Sequence, residues 1–173
     1  MTIDDINAQD ESPFVALLGG VFENSPWVAR RAYAARPFAG VDALHAAMVA
    51  AVDHATADEK LALLRAHPEL AGRAAVRGEL TADSTQEQAG AGLAHCSPAE
   101  YEYLTELNRR YNDRFGFPFI LAVKGYDRAG IIREFARRLE SDRESEFAEC
   151  LTQINRITRY RLATLITNSI RSL

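Results

Sequence analysis

Two short blocks near the middle of the chain carry the side chains best suited to acid–base work. The first is His67-Pro68-Glu69-Leu70. The second is Ser84-Thr85-Gln86-Glu87-Gln88, followed by Gly90-Ala91-Gly92-Leu93. A residue before proline is pushed out of the α region, so the pattern predicts a helix that ends near His67. The negative end of a helix dipole favours imidazolium, and a histidine held there is suited to act as a general acid near neutral pH. The plainer alternative is a helix-terminal histidine that satisfies the last carbonyls. Ser84-x-x-Glu87 has the spacing of a capping box. A helix start also offers N–H groups and partial positive charge to an anionic oxygen. Glu87 then either closes the cap or turns toward a pocket, where it would orient His67 or accept a proton. Gln88 adds an amide that both donates and accepts.

Two further features belong with these blocks. Phe117-Pro118-Phe119-Ile120-Leu121-Ala122-Val123 is an apolar run too short for a helix, and its core, Phe119 to Val123, is expected to be extended. In a helical protein its backbone groups must find other partners: either other backbone or a flat ligand ring with donors and acceptors. Arg161 falls in the last helical pattern. It is either a solvated helix arginine or a bidentate clamp for a carboxylate.

Other chemistries find no support. There is no H-E-x-x-H or paired C-x-x-C spacing for zinc, no G-x-S-x-G elbow, and Gly90-Ala91-Gly92 lacks the context of a dinucleotide loop. No metal is therefore expected. Cys96 and Cys150 have no redox spacing and are expected to be reduced thiols. With a net charge of −4 and no basic stripe, a nucleic-acid partner is not expected. The pairs Arg30-Arg31, Arg109-Arg110 and Arg137-Arg138 read as solvated helix faces. Met1-Thr2-Ile3-Asp4-Asp5 lacks the apolar stretch of a leader, and no apolar run approaches membrane-spanning length, so a cytoplasmic protein without a membrane partner is expected.

The elements that must position these residues are helical. Ala is abundant and β-branched runs are rare. Ser25-Pro26 opens a helix, and Leu44, Met48 and Val52 share one face of another between Val41 and Ala55. Asp58 to about Ala66 is helical, and His67 to Asp83 is less regular. Ser84 begins a short helix. Ser97-Pro98-Ala99-Glu100 caps one that runs to about Phe115, where Gly116 and Pro118 stop it. Ala129 to Leu139 and about Glu144 to Thr167 complete the set. Phe147, Leu151, Ile154, Leu162 and Leu165 line the last face. Seven or eight helices without a strand pair predict an all-α, single compact bundle-like domain over residues 1–173.

Taken in order, these blocks resemble a known family. Phe22-Glu23-x-Ser25-Pro26-Trp27, His67-Pro68-Glu69-Leu70, Ser84-x-x-Glu87-Gln88, Ala91-Gly92-Leu93, Tyr111-x-x-x-Phe115-Gly116-Phe117-Pro118-Phe119-Ile120, Val123-Lys124-Gly125 and Arg161-Leu162 are similar to the 2-oxo-4-hydroxy-4-carboxy-5-ureidoimidazoline (OHCU) decarboxylases of urate degradation. The resemblance spans nearly the whole chain. It implies an all-helical, cofactor-free and usually homodimeric enzyme that acts on a small anionic ureide, releases CO2 and forms (S)-allantoin. It also implies His67 as the catalytic acid and Glu87 as its carboxylate partner. Pro68, Ser84, Gln88 and the backbone of Phe119, Ile120, Leu121, Ala122 and Val123 would contact substrate, and Arg161 would clamp an anionic or ring oxygen. The competing reading is a non-catalytic helical interaction domain on the same scaffold.

Overall fold

The computed structural model describes residues 1–72 and 78–166. Part of the irregular stretch between His67 and Asp83, and the expected end of the last helix at Thr167, lie outside them. The described residues form nine α-helices and no strand: α1 (Ile3–Asn7), α2 (Glu11–Leu18), α3 (Pro26–Ala32), α4 (Val41–Asp53), α5 (Ala57–Ala66), α6 (Ala82–Gly90), α7 (Pro98–Phe115), α8 (Arg128–Leu139) and α9 (Arg143–Leu165). Single 3-10 turns lie at Tyr33–Ala35 and Leu93–His95. The all-α class is as expected, with one short helix more than the sequence pattern suggests. That helix, α1, is too short to show periodicity. It is fixed instead by a capping box between Thr2 and Asp5.

The chain divides into two compact units, one of Met1–Ala66 with 155–166 and the other of His67–Ile154. In the first, α3 packs against α2 and α4. Its core includes Ile6, Phe14, Leu18, Leu44, Met48, Val52, Leu63 and Leu64. Leu44, Met48 and Val52 are all buried at the fourfold spacing that one helix face requires. Pro26 opens α3, yet Ser25 makes no side-chain cap there. Its hydroxyl donates to the Glu23 carbonyl at 3.1 Å.

The second unit is built on α7. Ser97 and Glu100 close the expected capping box, and Gly116 ends the helix at φ 79°, a conformation that favours glycine. The buried face of α7 presents Tyr111 and Phe115 to an aromatic cluster. Phe119 stacks on Phe135 of α8 with centroids 3.9 Å apart, and the edge of Tyr111 meets both rings at 5.4 and 5.6 Å. Helix α9 corrects the expected face. Its buried positions include Glu146, Cys150, Gln153, Ile154, Ile157, Thr158, Arg161 and Leu162, whereas Phe147, Leu151 and Leu165 are only half-buried. A stripe this rich in polar side chains must spend them on specific partners.

Candidate active site

Helix α5 ends at Ala66, and His67 is the first residue beyond it, as the following proline requires. The His67 side chain is 6% exposed, with Nε2 shielded from solvent. The chain then makes a tight turn. Ala71 adopts φ 50°, in the left-handed region that L residues avoid at a cost of about 1–3 kcal/mol. Gly72 follows because nothing larger fits: a Cβ there would stand 2.6 Å from Glu69 Cβ and 2.8 Å from its Oε2.

Side-chain amides hold this turn. Gln88 Oε1 accepts from the Ala71 N–H at 2.9 Å, and its Nε2 donates to the Glu69 carbonyl at 3.3 Å. Asn108 Nδ2 donates to the Leu70 carbonyl at 2.9 Å, and Asn112 Nδ2 donates to Glu69 Oε1 at 2.7 Å. The amide of Gln88 therefore joins the two sequence blocks: it ties the helix that carries Ser84 and Glu87 to the turn that carries His67 and Pro68. Among the described residues the second Gln88 N–H makes no further hydrogen bond.

Ser84 does not start its helix. Thr81 is the cap, its hydroxyl accepting from the Ser84 N–H at 3.3 Å, so the expected Ser84–Glu87 capping box is replaced by a cap three residues earlier. Thr81 offers the same hydroxyl as a serine, and nothing in the local pattern ranks one above the other. Ser84 is buried within the first turn and Glu87 is half-buried.

Phe119 to Val123 is non-helical, as expected, and is buried, with side chains anchoring its backbone. Arg138 Nη1 donates to the Ile120 carbonyl at 2.7 Å, and the Ala122 N–H donates to Gln153 Oε1 at 2.9 Å. Arg138 is a correction. Expected on a solvated face, it is fully buried and paired with Glu146 through Nε at 2.7 Å and through Nη2. Burial alone would lower its pKa, but the Glu146 hydrogen bond and neighbouring acidic groups outweigh that and hold it above the ordinary arginine value. Tyr111 donates to the same Glu146 oxygen, and burial pushes its hydroxyl pKa up. Burial also raises the Cys150 thiol, which lies 3.2 Å from Arg138 Nη2.

Arg161 lies in the first unit and is likewise not solvated. At 7% exposure its Nη1 donates to Glu23 Oε2 at 2.7 Å and meets the Val21 carbonyl at 3.4 Å. The structure thus brings His67, Pro68, Ser84, Glu87, Gln88 and Phe119–Val123 into one unit, with Arg161 placed in the other. Motif reading missed Asn108, Asn112, Arg138, Glu146 and Gln153. The available signal was a polar residue in an apolar stripe. Asn108 adjoins Leu107 and sits three or four residues from Tyr111 and Leu104, and Arg138 follows Phe135 by three.

Comparison with known proteins gives a consistent result. The profile of the OHCU decarboxylase family matches residues 7–163. The chain is 43% identical to the uric acid degradation bifunctional protein PucL of Bacillus subtilis over 96% of its own length, and spans 33% of that longer protein. It is 42% identical to a 2-oxo-4-hydroxy-4-carboxy-5-ureidoimidazoline decarboxylase of Halalkalicoccus jeotgali, covering 95% of this chain and 92% of the relative. Among solved structures it is similar to an (S)-allantoin synthase, with a TM-score of 0.77 and 30% identity over 98% of this chain and 55% of the other.

Proposed function

The chain belongs to the OHCU decarboxylase family, carboxy-lyases of urate degradation, and from that membership we propose that His67 is the proton donor and Glu87 its carboxylate partner. The observation that carries this reading is the amide of Gln88. It ties the turn beginning at His67 to the helix bearing Glu87 and Ser84, which supports reading the candidate acid and its partner as parts of one site.

The substrate carries its own electron sink. Its carboxylate sits on a ring carbon that also bears a hydroxyl and adjoins a ring C=N carbon. When the bond to CO2 breaks, its electron pair forms a C=C bond, and the imine pair moves to nitrogen, which takes a proton from solvent water. The resulting enol loses its hydroxyl proton as the ureido carbon gains one. Protonated His67 supplies that carbon from one face, giving (S)-allantoin. Glu87 holds the imidazole or takes the hydroxyl proton, a division of acid and base between two groups in different surroundings.

Pro68, Ser84, the remaining Gln88 N–H and the Phe119-to-Val123 backbone are the proposed substrate contacts, with Arg161 as the clamp for anionic oxygen. The chain is acidic overall, so binding must come from such local donors rather than long-range steering. Both cysteines are free thiols, which supports a reducing cytoplasm. The family resemblance supports a homodimer. Among the described residues no helix is long and apolar enough to cross a membrane. The test is His67→Asn on substrate generated in situ. A positioned general acid contributes about 10²–10⁴-fold, so kcat should fall at least that far. Near wild-type turnover would remove His67 from the reaction, and indifference at both His67 and Glu87 would favour an interaction domain.

A further inference from the structure

We propose that Asn108 is a positioning residue for His67. The proposal rests on His67 being the proton donor described above. Asn108 is 3% exposed on the apolar face of α7, beside Leu104, Leu107 and Tyr111. Its Nδ2 donates to the Leu70 carbonyl at 2.9 Å, while its Oδ1 is buried and has no hydrogen-bond partner among the described residues. A leucine would fill a similar volume without leaving a buried acceptor unsatisfied. The use of an asparagine is therefore the Leu70 carbonyl.

That carbonyl belongs to the turn that starts at His67. Ala71 holds the turn in a left-handed conformation, and Gly72 packs directly on Glu69. Among the described residues no helical hydrogen-bond ladder supports it. Gln88 restrains it from α6. Asn108 and Asn112, one helical turn apart on α7, restrain it as well, through Leu70 and Glu69. Pro68 has a fixed φ, so a displacement of Leu70 passes back along a stiff segment to His67. A proton donor must be held within about 0.5 Å of its productive position, and a 1 Å displacement costs about 10²-fold.

The test compares the full-length wild type with Asn108→Leu and Asn112→Ala. Asn108→Leu should keep a cooperative melt, lower kcat about 10–100-fold and leave KM within about threefold, because Asn108 meets the turn rather than the substrate. Asn112 is half-buried, so its truncation tolerates loss of the side chain; it should lower kcat by about 3–10-fold with KM unchanged. The chain has four histidines, His45, His54, His67 and His95. The imidazole Cε1–H resonance of His67, assigned by its loss in His67→Asn, should move in both variants while the other three stay in place. A folded variant with an unmoved His67 resonance, or with kcat within about twofold of wild type, overturns the proposal. So does a rise in KM at unchanged kcat, which would make Asn108 a substrate contact. A wild type without catalysis would sink the functional reading alone, since the resonance still reports whether Asn108 holds the turn.

Discussion

Replacing Arg138 by Met should cost stability and activity by separable routes. The guanidinium and the Glu146 carboxylate are each 1% exposed. Removing one partner of such a pair costs about 3–5 kcal/mol, because the other charge stays buried. The Ile120 carbonyl also loses a donor at 2.7 Å, worth about 1–3 kcal/mol for a buried acceptor. The two losses share one side chain and do not add fully, so about 4–6 kcal/mol is expected. At about 2–4 °C per kcal/mol for a chain of this size, Tm should fall by roughly 10–20 °C. Arg138→Met/Glu146→Leu removes both charges and should recover Tm to within about 10 °C of wild type, as is usual when a buried pair is replaced by apolar side chains; the remainder reflects the Ile120 carbonyl and the Tyr111 hydroxyl, whose partners are not restored. Its kcat should stay about tenfold low, because the Phe119-to-Val123 backbone has still lost its Arg138 anchor. Arg109, more than half exposed beside Glu106 and Asp113, is the internal control and should leave Tm unchanged on substitution. Differential scanning calorimetry and steady-state kinetics on the same preparations read both effects. A single variant within about 3 °C of wild type, or a double variant as unstable as the single, would refute the reasoning.

Three more outcomes follow from the first unit. His45 is about half-buried, and burial lowers its pKa below 6.5 despite its hydrogen bond to the Asn155 carbonyl at 2.9 Å. Its neutral form is thus favoured in the folded state. Its contribution is complete above 6.5 and is lost as pH falls through 6.5 toward the lowered folded value. Urea midpoints measured from about pH 7 to about pH 5 should decline less in His45→Gln than in wild type; parallel slopes would contradict this. Arg161→Ala should lose about 3–5 kcal/mol, because it removes one partner of an ion pair whose side chains are 5% and 1% exposed. Arg161→Lys preserves a cation for Glu23 but not the planar fork, so it should melt near wild type with KM raised about tenfold. An unchanged KM in Arg161→Lys would take Arg161 out of substrate binding.

How much of this was legible in the sequence depends on the range of the interaction. Local signals were read directly: the stop at His67-Pro68, the Ser97–Glu100 capping box, the Gly116 terminus and the Leu44, Met48, Val52 stripe. Each is a property of a few adjacent residues. The Thr81 cap was missed because two hydroxyl residues three apart compete for one role, and only the downstream chain path decides between them. The tertiary polar contacts were out of reach for a different reason. Arg138 looks like half of a solvated Arg137-Arg138 pair until Glu146 and the Ile120 carbonyl are brought to it, and Gln153 has no local sign that it will bind the Ala122 N–H. For the candidate site, His67 and Glu87 were visible as residue types. The amides that hold the His67 turn come from α6 and α7, and no motif links them.

The most direct test of the central claim is stereochemical. Urate is oxidised and hydrolysed in situ to the unstable ureidoimidazoline, the protein is added, and allantoin is followed by circular dichroism. With wild type, decarboxylation should outrun the spontaneous reaction and yield a single (S) signal, whereas His67→Asn should leave slow formation of racemate. Racemic allantoin at the spontaneous rate with wild type, or an undiminished (S) signal from His67→Asn, would contradict the account.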